Sequence, residues 1–249
     1  MIKEKYEDDL VLNTATRIPV CLCIDASASM NKVIGNGGVD TGKRQFIDGK
    51  QWIVLSEGDT LMKEMVKGVN KFYDSVRRNQ QANLSCEISC VSFSDDASCI
   101  EDFSPVSSKQ EFVAPKTGDK TAMAKGVELA LNLLESRKND YKDSGIEYHQ
   151  PWLVIFTDGD SSDDVGYVQS RVKQLESESK LSVFTFALSD EVNMNTLSGF
   201  SRRKPLSIKT DKFEEFFEWL GKSVSIVSAS RVGDKIKLDT SNLDDWAEL

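Results

Sequence analysis

The sequence predicts an α/β fold: a doubly wound, mostly parallel six-stranded sheet with one antiparallel edge strand, helices on both faces, and a β-hairpin inserted after the first strand. Three observations carry this expectation. Short apolar runs recur along the 249 residues, and between them apolar residues repeat at helical spacing, which is the pattern of βα units. The first run, Val20 to Ile24 after Pro19, is continuous rather than alternating, as a strand covered on both faces requires. It stops abruptly at Asp25-Ala26-Ser27-Ala28-Ser29. In open α/β sheets the carboxyl ends of the strands are where ligands bind.

The elements follow in order. Asn31 to Thr60 is a Gly-rich polar insertion. Within it, Arg44 to Ile47 and Lys50 to Val54 read as strands around the Asp48-Gly49 turn. Leu61, Met65, Val69, Phe72 and Val76 mark one face of an amphipathic helix. Leu84 to Phe93 and Ala97 to Phe103, separated by Ser94-Asp95-Asp96, read as an antiparallel hairpin at one sheet edge. Thr117 to Thr121 is a loop before a second helix, whose buried face is Met123, Val127, Ala130, Leu131 and Leu134. Trp152 to Thr157 is the next buried strand, broken by Asp158-Gly159-Asp160, and Val168, Val172 and Leu175 give the following helix. Leu181 to Leu188 makes a further strand, Val192 to Phe200 a short helix, Pro205 to Ile208 a short edge strand, and Lys212 to Ser228 a closing helix. Residues 1–230 are expected to form a single domain carrying the 31–60 insertion. The acidic tail 231–249, with Ile236, Leu238, Leu243 and Trp246, either packs back on the domain or protrudes as an interaction segment.

Composition removes several function classes. A formal net charge of -9 argues against nucleic acid and against an anionic membrane surface as partner. The five cysteines, Cys21, Cys23, Cys86, Cys90 and Cys99, are odd in number and lie in strand-like runs, so reduced, buried thiols in a cytoplasmic protein are expected. Strand alternation puts each close pair on one face inside the sheet, which disfavours zinc. The charged start of the chain shows no signal peptide, and no apolar run approaches the ~20 residues of a membrane span.

Asp25, Ser27 and Ser29 read alone either as oxygen ligands for a hard cation such as Mg²⁺ or Mn²⁺ or as a helix N-cap. If the strand order is the common 3-2-1-4-5-6, the strands ending at Asp25 and Asp158 are neighbours at the switch point, and Thr121 enters from the loop between them. Oxygen-bearing side chains from distant sequence then converge, and a set of unrelated caps explains them less well.

These residues carry a resemblance. Asp25-Ala26-Ser27-Ala28-Ser29 resembles the D-x-S-x-S signature of von Willebrand factor type A domains, with Thr121 and Thr157-Asp158-Gly159 falling where that family places its other metal-site residues. It covers roughly Arg17 to Ser228. Ile18-Pro19-Val20 and Phe156 to Asp160 look most like the bacterial TerY-like or YegL-like proteins linked to tellurite resistance. The resemblance implies a metal-ion-dependent adhesion site (MIDAS). Ser27, Ser29 and Thr121 supply hydroxyls, Asp25 and Asp158 bind directly or through water, and an open position takes an Asp or Glu from a protein partner. It also implies an adaptor in a stress-response system containing kinases, phosphatases or other tellurite-resistance-type proteins.

The sequence departs from the family pattern at three places. Ala28 replaces a glycine. Asp119-Lys120 replaces a glycine pair, and Lys120 either pairs with Asp119 or Asp160, weakens metal binding, or is a solvated loop residue. The long insertion is the third: Phe46 and Trp52 on its hairpin either contact the partner or cap the core. An enzyme is not expected. A haloacid-dehalogenase-like phosphohydrolase needs a second Asp at position 27, which is serine, and the only histidine, His149, lies in no nucleophile motif. A scaffold with a vestigial metal site is the other alternative.

Overall fold

The computed structural model describes residues 10, 12–34, 40–47, 50–55, 58–209, 212–234, 236, 238 and 247–248. Of these, 40–42, 45–47, 50, 52–55 and 247–248 are described by backbone alone. Strand β1 (Ile18–Asp25) is buried along its whole length. Ile18, Val20, Leu22 and Ile24 enter the core on one face of the sheet, and Cys21 and Cys23 that on the other. This double burial is why the run is continuously apolar.

The insertion forms its own two-stranded antiparallel sheet, β2 (Asp40–Ile47) with β3 (Lys50–Leu55), in the register Ile47 opposite Lys50. The expected Asp48-Gly49 turn lies outside the described residues. Helix α1 (Leu61–Arg78) starts at Thr60, whose hydroxyl accepts from the Lys63 amide. It buries the predicted face.

At Asn79 the chain turns extended, and the Asn79 side chain accepts from the Ala82 amide, which starts a short helix α2 (Gln80–Ser85). This corrects the expectation that Leu84 opens a strand. The local cap wins there, and β4 (Cys86–Phe93) begins only after it. Strand β5 (Ala97–Pro105) returns antiparallel to β4. There follow α3 (Met123–Asp143), β6 (Trp152–Thr157), α4 (Gly166–Ser177), β7 (Ser182–Ala187), α5 (Met194–Ser198), β8 (Leu206–Ile208) and α6 (Phe213–Ser228). Ala247–Glu248 form β9.

The main sheet has the order β5-β4-β1-β6-β7-β8-β9. Without the inserted hairpin and β9 this is the order 3-2-1-4-5-6, with β5 the one antiparallel member. Strand β8, expected at the edge, is covered by β9, which pairs antiparallel through Ser207 and Ile208. The returning tail takes up hydrogen-bonding groups that an edge strand leaves open. Trp246 lies outside the described residues.

One face of the sheet is covered by α1 and α6, with Phe156, Phe186, Phe216 and Phe217 stacked between them and the strands. The other carries α3 and α4. At the end of the sheet where β1 begins, Glu87 is buried between two guanidiniums. Arg17 Nε lies 3.4 Å from it and Arg137 Nε 2.6 Å, while Tyr141 donates to it at 2.5 Å.

The spacing argument for the cysteines holds in detail. Cys21 and Cys23 face one core and Cys86 and Cys90 the other, as strand alternation predicts. Cys99 differs from the expectation, because it lies on the edge strand β5 and is exposed. Among the described residues no helix is long and apolar enough to cross a membrane.

Candidate metal centre

At the carboxyl end of β1 the chain leaves the sheet in a tight turn. The Ser27 amide donates to Asp25 Oδ1 at 2.8 Å, and a short 3₁₀ turn (Ala28–Asn31) begins, pinned by the fully buried Met30. Ser27 and Ser29 project from this turn toward the end of β6. The Ser29 hydroxyl donates to Asp158 Oδ1 at 2.7 Å, the Ser27 hydroxyl reaches the same oxygen at 3.4 Å, and the two hydroxyls are 2.9 Å apart. The N-cap alternative does not describe these side chains. Ser27 precedes the 3₁₀ turn without a side-chain capping bond, and both serines point across the crevice to Asp158 instead.

The crevice floor is Asp25, which has no exposed surface. Its Oδ2 accepts from the Thr157 hydroxyl at 2.6 Å. Burial pushes its carboxyl up to about 6; the bonds from Thr157 and Ser27 oppose that rise and the Asp158 charge adds to it. Burial likewise raises Asp158, against the Ser29 hydroxyl and the Lys32 ammonium.

Thr121 reaches the same crevice through its backbone, and its side chain is 9% exposed. The Ser162 amide donates to the Thr121 carbonyl at 2.9 Å, and the Thr121 amide donates to the Ser162 hydroxyl at 3.2 Å. Upstream, the Gly118 amide donates to the Ala26 carbonyl at 3.0 Å, which docks the 117–121 loop against the serine loop. A side chain at 118 would collide there, because a Cβ would stand 2.6 Å from Asp95 Oδ2 and 2.7 Å from Ser94 Oγ. Helix α3, which follows, has no capping side chain of its own. Asp163 supplies one from across the crevice, accepting from the Ala124 and Lys125 amides at 3.0 and 3.2 Å.

All the predicted ligand residues therefore stand at one end of the sheet. Hydrogen bonds join Asp25, Ser27, Ser29 and Asp158 around the crevice, and Thr121 is held beside it by the 158–163 loop. The residues expected to bind the partner, Phe46, Trp52, Lys120 and Asp160, are placed unevenly. Lys120 is exposed, and among the described residues no ion pair joins it to Asp119 or Asp160; the Asp160 carboxylate instead accepts from the Asn193 amide at 2.8 Å. Phe46 stands opposite Gln51 and Trp52 opposite Gln45 on the hairpin, and their side chains lie outside the described residues.

Sequence reasoning gave the supporting residues no individual role, although Thr157 stood in the matched Thr157-Asp158-Gly159 stretch. Thr157 is a polar residue closing an otherwise apolar strand, a signal that was legible. Gly118, Ser162 and Asp163 act only through loops that meet in space, which no local pattern reveals.

The donor set is oxygen-only, with two buried carboxylates and serine and threonine hydroxyls, and it fits a hard divalent cation. Among the described residues no cluster of three or more His, Cys, Asp or Glu side chains is disposed to hold a metal. An ion here would therefore rely on the hydroxyls as much as on the carboxylates.

Fold and crevice together define a doubly wound α/β domain with an oxygen-lined site at its topological switch point. More particularly, the model for the von Willebrand factor type A domain matches residues 20–219, and the chain belongs to that family. No curated protein sequence matches it. Among solved structures, the pilus adhesin SpaC from Lactobacillus rhamnosus GG superposes with a TM-score of 0.61 at 11% identity, covering 85% of this chain and 31% of that one. The PilB minor pilin from Streptococcus sanguinis gives 0.54 at 14%, covering 87% and 64%. Proximal thread matrix protein 1 from the mussel byssus, in a form whose MIDAS motif is occupied by zinc, gives 0.51 at 15%, covering 88% and 47%. These identities show a shared fold alone, and the chain spans about half the length of the mussel protein.

Proposed function

We propose that this chain is a cation-dependent protein-binding module rather than an enzyme. Asp25, Ser27, Ser29, Thr121 and Asp158 hold Mg²⁺ or Mn²⁺, and the ion's remaining position takes an Asp or Glu carboxylate from a partner protein. The observation that carries this reading is the convergence of the Ser27 and Ser29 hydroxyls on Asp158 Oδ1 above the buried Asp25. The zinc-bound MIDAS of the mussel protein supports it.

When bound, the cation supplies a Lewis-acidic position for an anionic ligand. The chain's own residues prepare that position. Thr157 and the Ser27 amide orient the Asp25 carboxylate, and the neutral hydroxyls leave a bound ion short of negative charge. What surrounds the site supports binding rather than turnover. Position 27 offers a hydroxyl where an acid would be needed for proton transfer, and His149 lies at the other end of the sheet, its amide bonded to the Arg17 carbonyl.

On this reading the inserted hairpin, with Phe46 and Trp52, and the rim residues Lys120 and Asp160 select the partner. The resemblance to TerY-like proteins supports a cytoplasmic adaptor in a bacterial stress-response system of the tellurite-resistance type, with kinases or phosphatases among its partners.

Thermal unfolding with and without Mg²⁺ or Mn²⁺ tests the proposal. At about 100 times the dissociation constant a native-state ligand adds ~2.7 kcal/mol, a rise of roughly 5–10 °C for a domain of this size. Asp158→Ala and Ser29→Ala should lose that rise. A wild type unmoved by either metal would leave a scaffold with a vestigial site.

A further inference from the structure

Immediately after the serine loop, Lys32 turns back over the crevice. Its ammonium pairs with Glu191 Oε2 at 2.6 Å, with the two side chains 54% and 70% exposed. An ion pair so open to water is weak and exchanges readily. Lys32 also stands close enough to Asp158 to oppose the rise that burial imposes on that carboxyl. It thus lies between a ligand residue of the crevice and a surface acid.

The pocket beside it, about 420 Å³, has Lys32, Asp158, Asp190, Glu191 and Lys209 among its lining residues. Val33 and Ile34 are its accessible apolar lining, over the buried Leu61, Leu188 and Ile208. Its volume suits a few side chains, and its lining offers both charged and apolar groups.

Charge decides what can enter. Asp158, Asp190 and Glu191 line the pocket with carboxylates, and the buried Asp25 stands near Asp158. Such a site would repel a carboxylate. Lys32 and Lys209 offset part of that charge and so lower the Coulomb cost of an approaching acid.

We infer that Lys32 is a second anchor for the docking carboxylate: it exchanges Glu191 for the partner's acid, and that acid is flanked by an aliphatic side chain that packs on Val33 and Ile34. The inference rests on the cation-dependent reading above and names the ligand class it serves, a peptide segment with Asp or Glu next to Leu, Ile or Val.

The test uses the full chain in Mg²⁺, titrated with N-acetyl-aspartyl-leucinamide and followed by NMR, with Mg²⁺ affinity measured separately by calorimetry. Lys32→Gln should weaken the dipeptide by about fivefold or more while Mg²⁺ binds as tightly or more tightly, since a neighbouring cation has been removed. Glu191→Gln should strengthen the dipeptide, because Lys32 no longer has to leave a partner. A purely structural Lys32 would not move metal and ligand affinities in opposite directions. The asparagine analogue should not bind, and the aspartyl-serinamide analogue should bind more weakly. If Mg²⁺ binds but Lys32→Gln leaves dipeptide affinity within about twofold of wild type, the anchor is overturned while the metal reading stands. If Mg²⁺ binds and the dipeptide does not bind the wild type, the ligand class is wrong. If Mg²⁺ itself does not bind, both readings fall.

Discussion

Replacing Asp25 by Asn should change how the stability of the metal-free protein depends on pH. Asp25 is fully buried, and its carboxyl is lifted from 3.8 to about 6. In the unfolded chain it titrates at the ordinary value, near 4. Between about pH 4 and 6 the native state therefore holds a proton that the unfolded state has lost, and raising the pH favours unfolding. The shift of about two pH units corresponds to ~3 kcal/mol, a penalty absent below about pH 4, growing up to about pH 6 and constant above it. Urea unfolding in EDTA from about pH 4 to 7.5, with wild type and Asp25→Asn side by side, isolates this contribution, because the other carboxylates titrate in both proteins. The stability of wild type relative to the variant should fall by roughly 2–3 kcal/mol over that range. A difference that stays constant within about 0.5 kcal/mol would refute the claim that burial, rather than the bonds from Thr157 and Ser27, dominates at Asp25. Added Mg²⁺ should reverse the trend, since ion binding needs the carboxylates deprotonated and its stabilisation should shrink below about pH 6.

Glu87→Ala should cost about 3–5 kcal/mol in chemical denaturation, because it leaves Arg17 and Arg137 buried without their shared carboxylate. Gly126→Ala places a Cβ 2.6 Å from the Phe93 ring where α3 crosses the sheet. It should destabilise by about 1–3 kcal/mol and, since Phe93 stands opposite Asp25, also weaken Mg²⁺ binding in calorimetry. Thiol labelling of the native protein followed by mass spectrometry should modify Cys99 quickly, and the four buried thiols only on unfolding.

How much of this was legible in advance depended on how local each cause is. The run before Asp25 announced a doubly buried strand because every residue in it faces a core, and α1 announced its buried face through helical spacing. Strand Trp152–Thr157 was read to the residue, because Asp158-Gly159 ends it sharply. The failures have equally local reasons. Leu84 looked like the start of a strand until the Asn79 side chain capped a helical turn around it. Pro205 to Ile208 looked like an edge until two residues from the far end of the chain paired with it. Cys99 looked buried because it lies in a strand-like run, yet β5 is an edge strand and Ser98 to Ile100 are all exposed.

By itself the sequence determined the fold class, the points at which strands end, and the residue types that stand there, since burial and turn chemistry are written within a few residues of each position. It also made the five oxygen-bearing residues candidates for one site, on condition of a particular strand order. Only the tertiary structure met that condition, placing β1 beside β6 so that Ser29 and Asp158, 129 residues apart, share a hydrogen bond. Only the tertiary structure brought Asp163 to cap α3, docked Gly118 against Ala26, and put Lys32 between Asp158 and Glu191. The physical reason is the same in each case: these contacts join loops that are independent in sequence, and their meeting is decided by how the strands are ordered in the sheet.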